Sequence, residues 1–288
     1  MTAPGVPLDP PAPATLPGDL LPLTRLALLV LLGLSIANGI FLYLQPSRAA
    51  TGYAWSIKPA LNAAFLGAGY LTGAVSAAVS LVLVRRWRSI QAMVWPLVVF
   101  GILMLIATVI HRDRFRWGYP LTWIWTAVYV AVPIGAAGVW LWQRRAEPER
   151  AGTGRIADPL STVAAVIGVA LVIVGALMYL LPTAAIDRWP WSITPLLARA
   201  FGAWYVLAGG ILFVAGAFTR SRSETAVPYL TVAAWNLLLV ILPLTYRDTI
   251  HTDTAAFALW LALHLLTLLV CAAGAMRSLR MMRTVITT

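Results

Sequence analysis

Residues 191–209 read WSITPLLARAFGAWYVLAG and residues 55–73 read WSIKPALNAAFLGAGYLTG, one frame written twice at an offset of 136. Trp55, Ser56, Ile57 and Pro59 match Trp191, Ser192, Ile193 and Pro195. Leu61, Ala64, Phe65, Leu71 and Gly73 then match Leu197, Ala200, Phe201, Leu207 and Gly209. Upstream, Tyr43-Leu44-x-Pro46 matches Tyr179-Leu180-x-Pro182. Downstream, with one residue lost, Arg112-Asp113, Trp125 and Arg145 match Arg247-Asp248, Trp260 and Arg280. A repeat of this length marks a tandem duplication, whose shared positions are those the fold or the function needs twice.

Composition gives the class. Sixty per cent of residues are apolar and 11% charged, and the mean hydropathy is +0.83. Such values belong to membrane proteins. Eight stretches reach the roughly 20 apolar residues that a bilayer crossing needs: Leu26 to Leu44, Leu61 to Val84, Ala92 to Ile110, Leu121 to Trp142, Val163 to Leu181, Leu196 to Phe218, Val227 to Leu244 and Ala255 to Met276. The expected fold is all-α, eight transmembrane helices as two parallel four-helix repeats. Four crossings is an even number, so both halves enter from the same side and their axis lies along the membrane normal. The expected boundaries are a disordered proline-rich tail over residues 1–24, a first repeat over 25–143, a linker over 144–160, a second repeat over 161–280 and a tail over 281–288.

The basic residues orient the chain. With the N-terminus inside, the cytoplasmic side holds Arg25, Arg85, Arg86, Arg88, Arg144, Arg145, Arg150, Arg155, Arg220, Arg222, Arg277, Arg280 and Arg283. The outer side holds Arg48, Lys58, Arg112, Arg114, Arg116, Arg188 and Arg247. This excess predicts cytoplasmic termini in a bacterial inner membrane. The net charge of +11 is then a topology signal and a headgroup contact, which excludes nucleic acid as a partner. A lone cysteine, Cys271, permits neither an internal disulfide nor a thiolate metal cluster.

Each polar motif has a structural and a functional reading. Trp55 and Trp191 sit just before a helix start, with Thr194 as a good N-cap ahead of Pro195, so they read as anchors at headgroup depth or as the rim of a shared cavity. Gly202, Gly209 and Gly216 repeat every seven residues and mark a closely packed face. Arg112-Asp113 and Arg247-Asp248 end the third span of each half, as ion pairs or as groups facing an outward cavity. His111 and His251 lie at the same outer ends, but their spacing to Asp113 and Asp253 lacks the pattern of a zinc site. His264 is mid-span where the first repeat has Tyr129, a position asking for a ring that bonds across helices. Arg199, one turn inside the sixth span, needs a partner: Asp248 is the expected one and Asp113 the second.

The run Trp191, Ile193-Thr194-Pro195-Leu196, Ala198 and Arg199 resembles a pattern in uncharacterised multi-span membrane proteins of bacteria. The likeness covers about twenty residues of the second half. In the first half Ala63 replaces the arginine. The resemblance implies a bacterial source and no activity.

No Glu, Asp or Lys stands mid-span, which removes the acidic relay of many coupled transporters, and no hydrolase or histidine-box spacing occurs. The expected function is a transporter-like, tryptophan-rich protein that binds or passes a small apolar or anionic molecule at an outward cavity between its repeats. The candidate ligand-binding residues are Arg199, Arg112, Asp113, Arg247, Asp248, His111, His251, Trp55, Trp191 and Trp204, with no metal and no cofactor. A non-catalytic scaffold, alone or with a membrane-protein partner or second copy, is the alternative. An enzyme using His111, Asp113, His251 and Asp253 is the third reading.

Overall fold

A computed structural model describes residues 18–145, 158–219 and 221–286. Most of the expected tail, the middle of the expected linker and the last two residues lie outside them. The described residues are helical, and their only β features are isolated bridges joining Asp19 to Arg86 and Trp55 to Phe115. Eight helices are long and apolar enough to cross a membrane, so this is a multi-pass membrane protein. They are α1 Pro22–Leu44, α2 Ala60–Leu83, α3 Gln91–Ile110, α4 Pro120–Arg145, α5 Pro159–Leu180, α6 Pro195–Phe218, α7 Ala226–Thr245 and α8 Ala255–Ile286. The loops around residues 45–59, 111–119, 181–194 and 246–254 share one side, the loop face. The opposite side is the terminal face.

Helix starts follow local chemistry. Proline opens α1, α5 and α6, where its missing N–H costs nothing. Thr194 caps α6 by accepting from the Leu197 N–H at 3.3 Å. Asp158 caps α5 through the N–H groups of Leu160 and Ser161, and its carboxylate meets Arg277 of α8 at 3.0 Å. Burial alone would raise the Asp158 pKa, but the bonds from Ser161 and Arg277 outweigh it and hold the group below its ordinary value. One boundary differs from the sequence reading: α1 begins at Pro22, and residues 18–24 are ordered. The Leu20 N–H reaches the Arg85 carbonyl at 2.8 Å, the Trp87 N–H reaches that of Gly18 at 2.9 Å, and Leu20 packs with Val84, Trp87 and Ile90. An apolar residue beside a tryptophan holds this stretch down although its composition is that of a tail.

Packing repeats a theme. Helix α1 lies on α2 and α5 on α6; α3 pairs with α4 and α7 with α8. Between halves, α2 meets α7 and α3 meets α6. The α5–α6 contact is backbone against backbone. A Cβ built on Gly202 would stand 2.6 Å from the Gly175 carbonyl oxygen, one on Gly209 would stand 2.6 Å from that of Gly168, and one on Gly216 would strike Ser161. The seven-residue glycine spacing thus marks the packed face. At the centre Phe65 stacks on Phe201 with centroids 3.9 Å apart.

Candidate functional site

At the loop face the two motif tryptophans are inside the protein. Trp55 is 3% exposed and Trp191 is 1%, so neither anchors the chain at headgroup depth. Each stands edge-on to the tryptophan of its own half: Trp55 to Trp125 at 4.7 Å, Trp191 to Trp260 at 5.4 Å. The backbone closes each loop the same way, with Arg116 N–H to the Ala54 carbonyl and His251 N–H to that of Pro190, both at 2.9 Å. Trp191 donates its indole N–H to Asn62 Oδ1 at 2.8 Å. The matching position in the other half is Ala198, and the Trp55 indole nitrogen is buried without a partner among the described residues.

Among the described residues Arg199 pairs with no carboxylate. Its Nη1 lies 2.8 Å from Nε2 of His111. Burial first, and then the Arg199 charge, push the His111 pKa below its ordinary 6.5, so the imidazole is neutral and accepts the arginine proton. A neutral acceptor satisfies the guanidinium without burying a second charge, which is why the expected Asp248 is not required. Asp113 pairs instead with Arg114 at 3.1 Å, both exposed. Arg112, Arg247, Asp248 and His251 are exposed. The structure therefore joins Arg199 with His111 and leaves those four on the surface. Among the described residues no three of His, Cys, Asp or Glu gather for a metal.

A cavity lies apart from these residues. About 200 Å³ of space sits among α1, α2, α3 and α4, closed from behind by Trp204 of α6 and Thr231 of α7. Of the candidates named from sequence, Trp204 alone lines it. No lining residue carries a charge. Two hydrogen-bonded pairs of polar side chains belong to its lining: the Tyr53 hydroxyl donates to Asn38 Oδ1 at 3.0 Å, and the Tyr70 and Tyr129 hydroxyls meet at 2.6 Å. Two further groups, Thr72 Oγ1 and Trp204 Nε1, belong to residues each 6% exposed and have no partner among the described residues.

The space exists because α1 cannot close on α2 as α5 closes on α6. Where α5 has Gly168 in backbone contact with α6, the matching α1 residue is Leu32. The close approaches of α1 to α2, at Gly39, Gly67 and Gly73, lie in its loop-side half. On the terminal face α1 is tied to α4 by the buried Gln143 side chain. Its Oε1 accepts from Leu21 N–H at 3.1 Å and Thr24 Oγ1 at 2.7 Å, while Nε2 donates to the Asp19 carbonyl at 2.7 Å.

In the second half the same places are filled: Leu171 stands for Ser35, Tyr205 for Gly69 and Leu212 for Ser76, all fully buried or nearly so. His264 there plays the part that Tyr129 has in the first half, as its mid-span position suggested. His264 Nδ1 meets Asn236 Oδ1 at 2.7 Å. That oxygen only accepts, so Nδ1 carries the proton and Nε2 receives the Tyr205 hydroxyl at 2.7 Å. This network is complete and leaves no room. The sequence did hold a signal for the cavity in Asn38, Tyr70 and Thr72, polar residues inside spans whose second-half equivalents, Val174, Val206 and Ala208, are apolar. Comparison with known proteins finds no family model, no curated protein and no solved structure that matches this chain.

Proposed function

We propose that the chain is a bacterial inner-membrane protein that binds a small, neutral, largely apolar molecule in the cavity of its first four helices. The carrying observation is a cavity of about 200 Å³ whose lining carries no charge and whose polar groups include the Asn38 amide and the hydroxyls of Tyr53, Tyr70 and Tyr129. An anion would enter a wall that offers it no cation, so the molecule proposed is a neutral one. The arginines first considered for an anion are bound to His111 or exposed. A volume near 200 Å³ fits a small molecule, below the ~300–1,000 Å³ of drug-sized sites.

The frame of this proposal is two parallel repeats about an axis along the membrane normal. Supporting it, Tyr43 of the first half donates to the Leu238 carbonyl at 3.0 Å, and Tyr179 of the second donates to the Leu103 carbonyl at 2.7 Å. These are equivalent residues bonding to equivalent residues across the halves, as an isologous contact requires. The stack of Phe65 on its counterpart Phe201 places two equivalent residues against each other, as residues at such an axis would be. Cytoplasmic termini follow from the arginine distribution. In cells whose Cys271 is replaced, Ser47→Cys or Thr252→Cys should react with an impermeant maleimide before lysis; labelling only after lysis reverses the orientation.

The binding test uses the protein's own second half as a guide. Ser35→Leu with Ser76→Leu installs the side chains found at Leu171 and Leu212 and should fill the cavity while preserving the fold. Mass spectrometry of the purified wild type should find a neutral molecule bound near stoichiometrically. The double variant should lose it by about tenfold or more, a change worth roughly 1.4 kcal/mol, with its thermal midpoint unchanged or raised. Equal loads in the two proteins, or an empty wild type, would discard the reading in favour of a scaffold.

A further inference from the structure

We infer that the cavity is loaded sideways from the bilayer, through the seam between α1 and α4, and that its occupant is a single hydrocarbon chain ending in a neutral hydroxyl. The inference rests on the ligand-binding reading above and adds the route and the chemical class.

The shape argues for a chain. Lining residues run from Leu28 to Asn38 along α1 and from Leu121 to Val132 along α4. At 1.5 Å per residue each run is about 15 Å long. Some 200 Å³ drawn out along that length makes a slot parallel to the helices, suited to one extended chain. The α1 run is centred on residue 33, the middle of Pro22–Leu44, so the slot lies across the bilayer midplane, at the depth where hydrocarbon tails end.

The walls argue for a neutral hydroxyl head. Hydrogen-bonding capacity is concentrated at the loop end in Asn38 and Tyr53, and at mid-depth in Tyr70 and Tyr129. Asn38 Oδ1 already accepts from Tyr53, and Asn38 Nδ2 donates to the Leu34 carbonyl at 3.0 Å. A hydroxyl can join such a pair as donor and acceptor at once, whereas a carboxylate can only accept and would need a cation that the lining lacks.

The seam argues for lateral access. The polar tie between α1 and α4 that the structure shows, the Gln143 latch, is confined to the terminal face. Above it, Ile124 of α4 lines the cavity and is also 54% exposed. One side chain thus borders both the interior and the surface that a bilayer would cover. A molecule already dissolved in the bilayer needs no aqueous mouth to cross this line.

The experiment places the full-length protein in lipid nanodiscs and compares two photoactivatable probes, decanol carrying a mid-chain diazirine and a compact diazirine-bearing benzyl alcohol. Adduct sites are mapped by mass spectrometry in the wild type, in Ile124→Trp, which narrows the seam, and in Ser35→Leu/Ser76→Leu, which fills the slot. Decanol should label the cavity side of α1 and α2, including Ser35, Asn38 and Thr72, in competition with unlabelled alcohol but not with decanoate. Labelling should fall about tenfold in the filled variant and form severalfold more slowly in Ile124→Trp. If the compact probe marks those residues while decanol marks only lipid-facing positions such as Leu29 and Val30, the chain and its route are wrong and the binding reading stands. If neither probe marks them, both fall. Unchanged decanol kinetics in Ile124→Trp overturn the lateral route.

Discussion

Gly209→Leu is expected to leave no monodisperse protein, while Gly33→Leu is expected to be silent. A Cβ at Gly209 would stand 2.6 Å from the Gly168 carbonyl oxygen and 2.7 Å from the Val172 nitrogen. Both are backbone atoms of a facing helix, so no rotamer change can relieve the clash and the helices must separate. Ordinary overpacking in a core costs about 1–3 kcal/mol. Here a whole helix pair, continued at Gly202 against Gly175 and at Gly216 against Ser161, would lose its seat, and the cost should exceed that range. Gly33 meets nothing within 4 Å and serves as the matched control. Size-exclusion profiles and thermal unfolding in one detergent decide the matter: a monodisperse Gly209→Leu protein melting with the wild type would show that α5 and α6 are not packed this way.

The second large effect is expected at Asn62, a fully buried residue that fastens the second motif to the first half. Its Oδ1 holds the Trp191 indole N–H at 2.8 Å, and its Nδ2 donates to the Lys58 carbonyl at 2.8 Å and the Ser192 carbonyl at 3.1 Å. Asn62→Leu keeps the volume and removes all three bonds. The Trp191 N–H, on a residue 1% exposed, would have neither protein nor water to bond. We expect a loss of about 3 kcal/mol, the upper end of the cost of stranding a buried polar group. Asn62→Asp, which keeps the acceptor for Trp191, should keep that bond and lose the two donated ones at the expense of a buried charge. Reversible unfolding in mixed micelles measures both. A change within about 0.5 kcal/mol for Asn62→Leu, the size of an ordinary surface substitution, would mean that this junction carries no stability.

What could be read from the chain alone was whatever repeats or obeys a period. The eight spans agree with the helices to within four residues, save that α8 runs ten residues past Met276, because hydropathy and length report the same bilayer. The glycines of α6 declared a packed face because small residues at seven-residue spacing have one structural use. Hydropathy could not show that Trp55 and Trp191 face protein, since a tryptophan reads the same whether its neighbour is lipid or another indole. Charge counting sent Arg199 to Asp248, because a neutral histidine from a different helix counts as an acceptor only once distance is known. The cavity was the least legible. Its polar lining showed as Asn38, Tyr70 and Thr72 against apolar counterparts, but its volume depends on the close approach that Leu32 forbids where the second half has Gly168, and such a separation of helices leaves no motif.

Helices α5 and α6 touch through their backbones, whereas α1 is held to its neighbours at three loop-side glycines and by the Gln143 latch. Backbone contact between helices yields little, and a helix held at its two ends can bow between them. Stiffness is therefore unequally shared in this molecule. With the second half as a keel and the first as a plank, we expect thinning of the bilayer or a change in its lateral pressure to bow α1 before it parts α5 from α6.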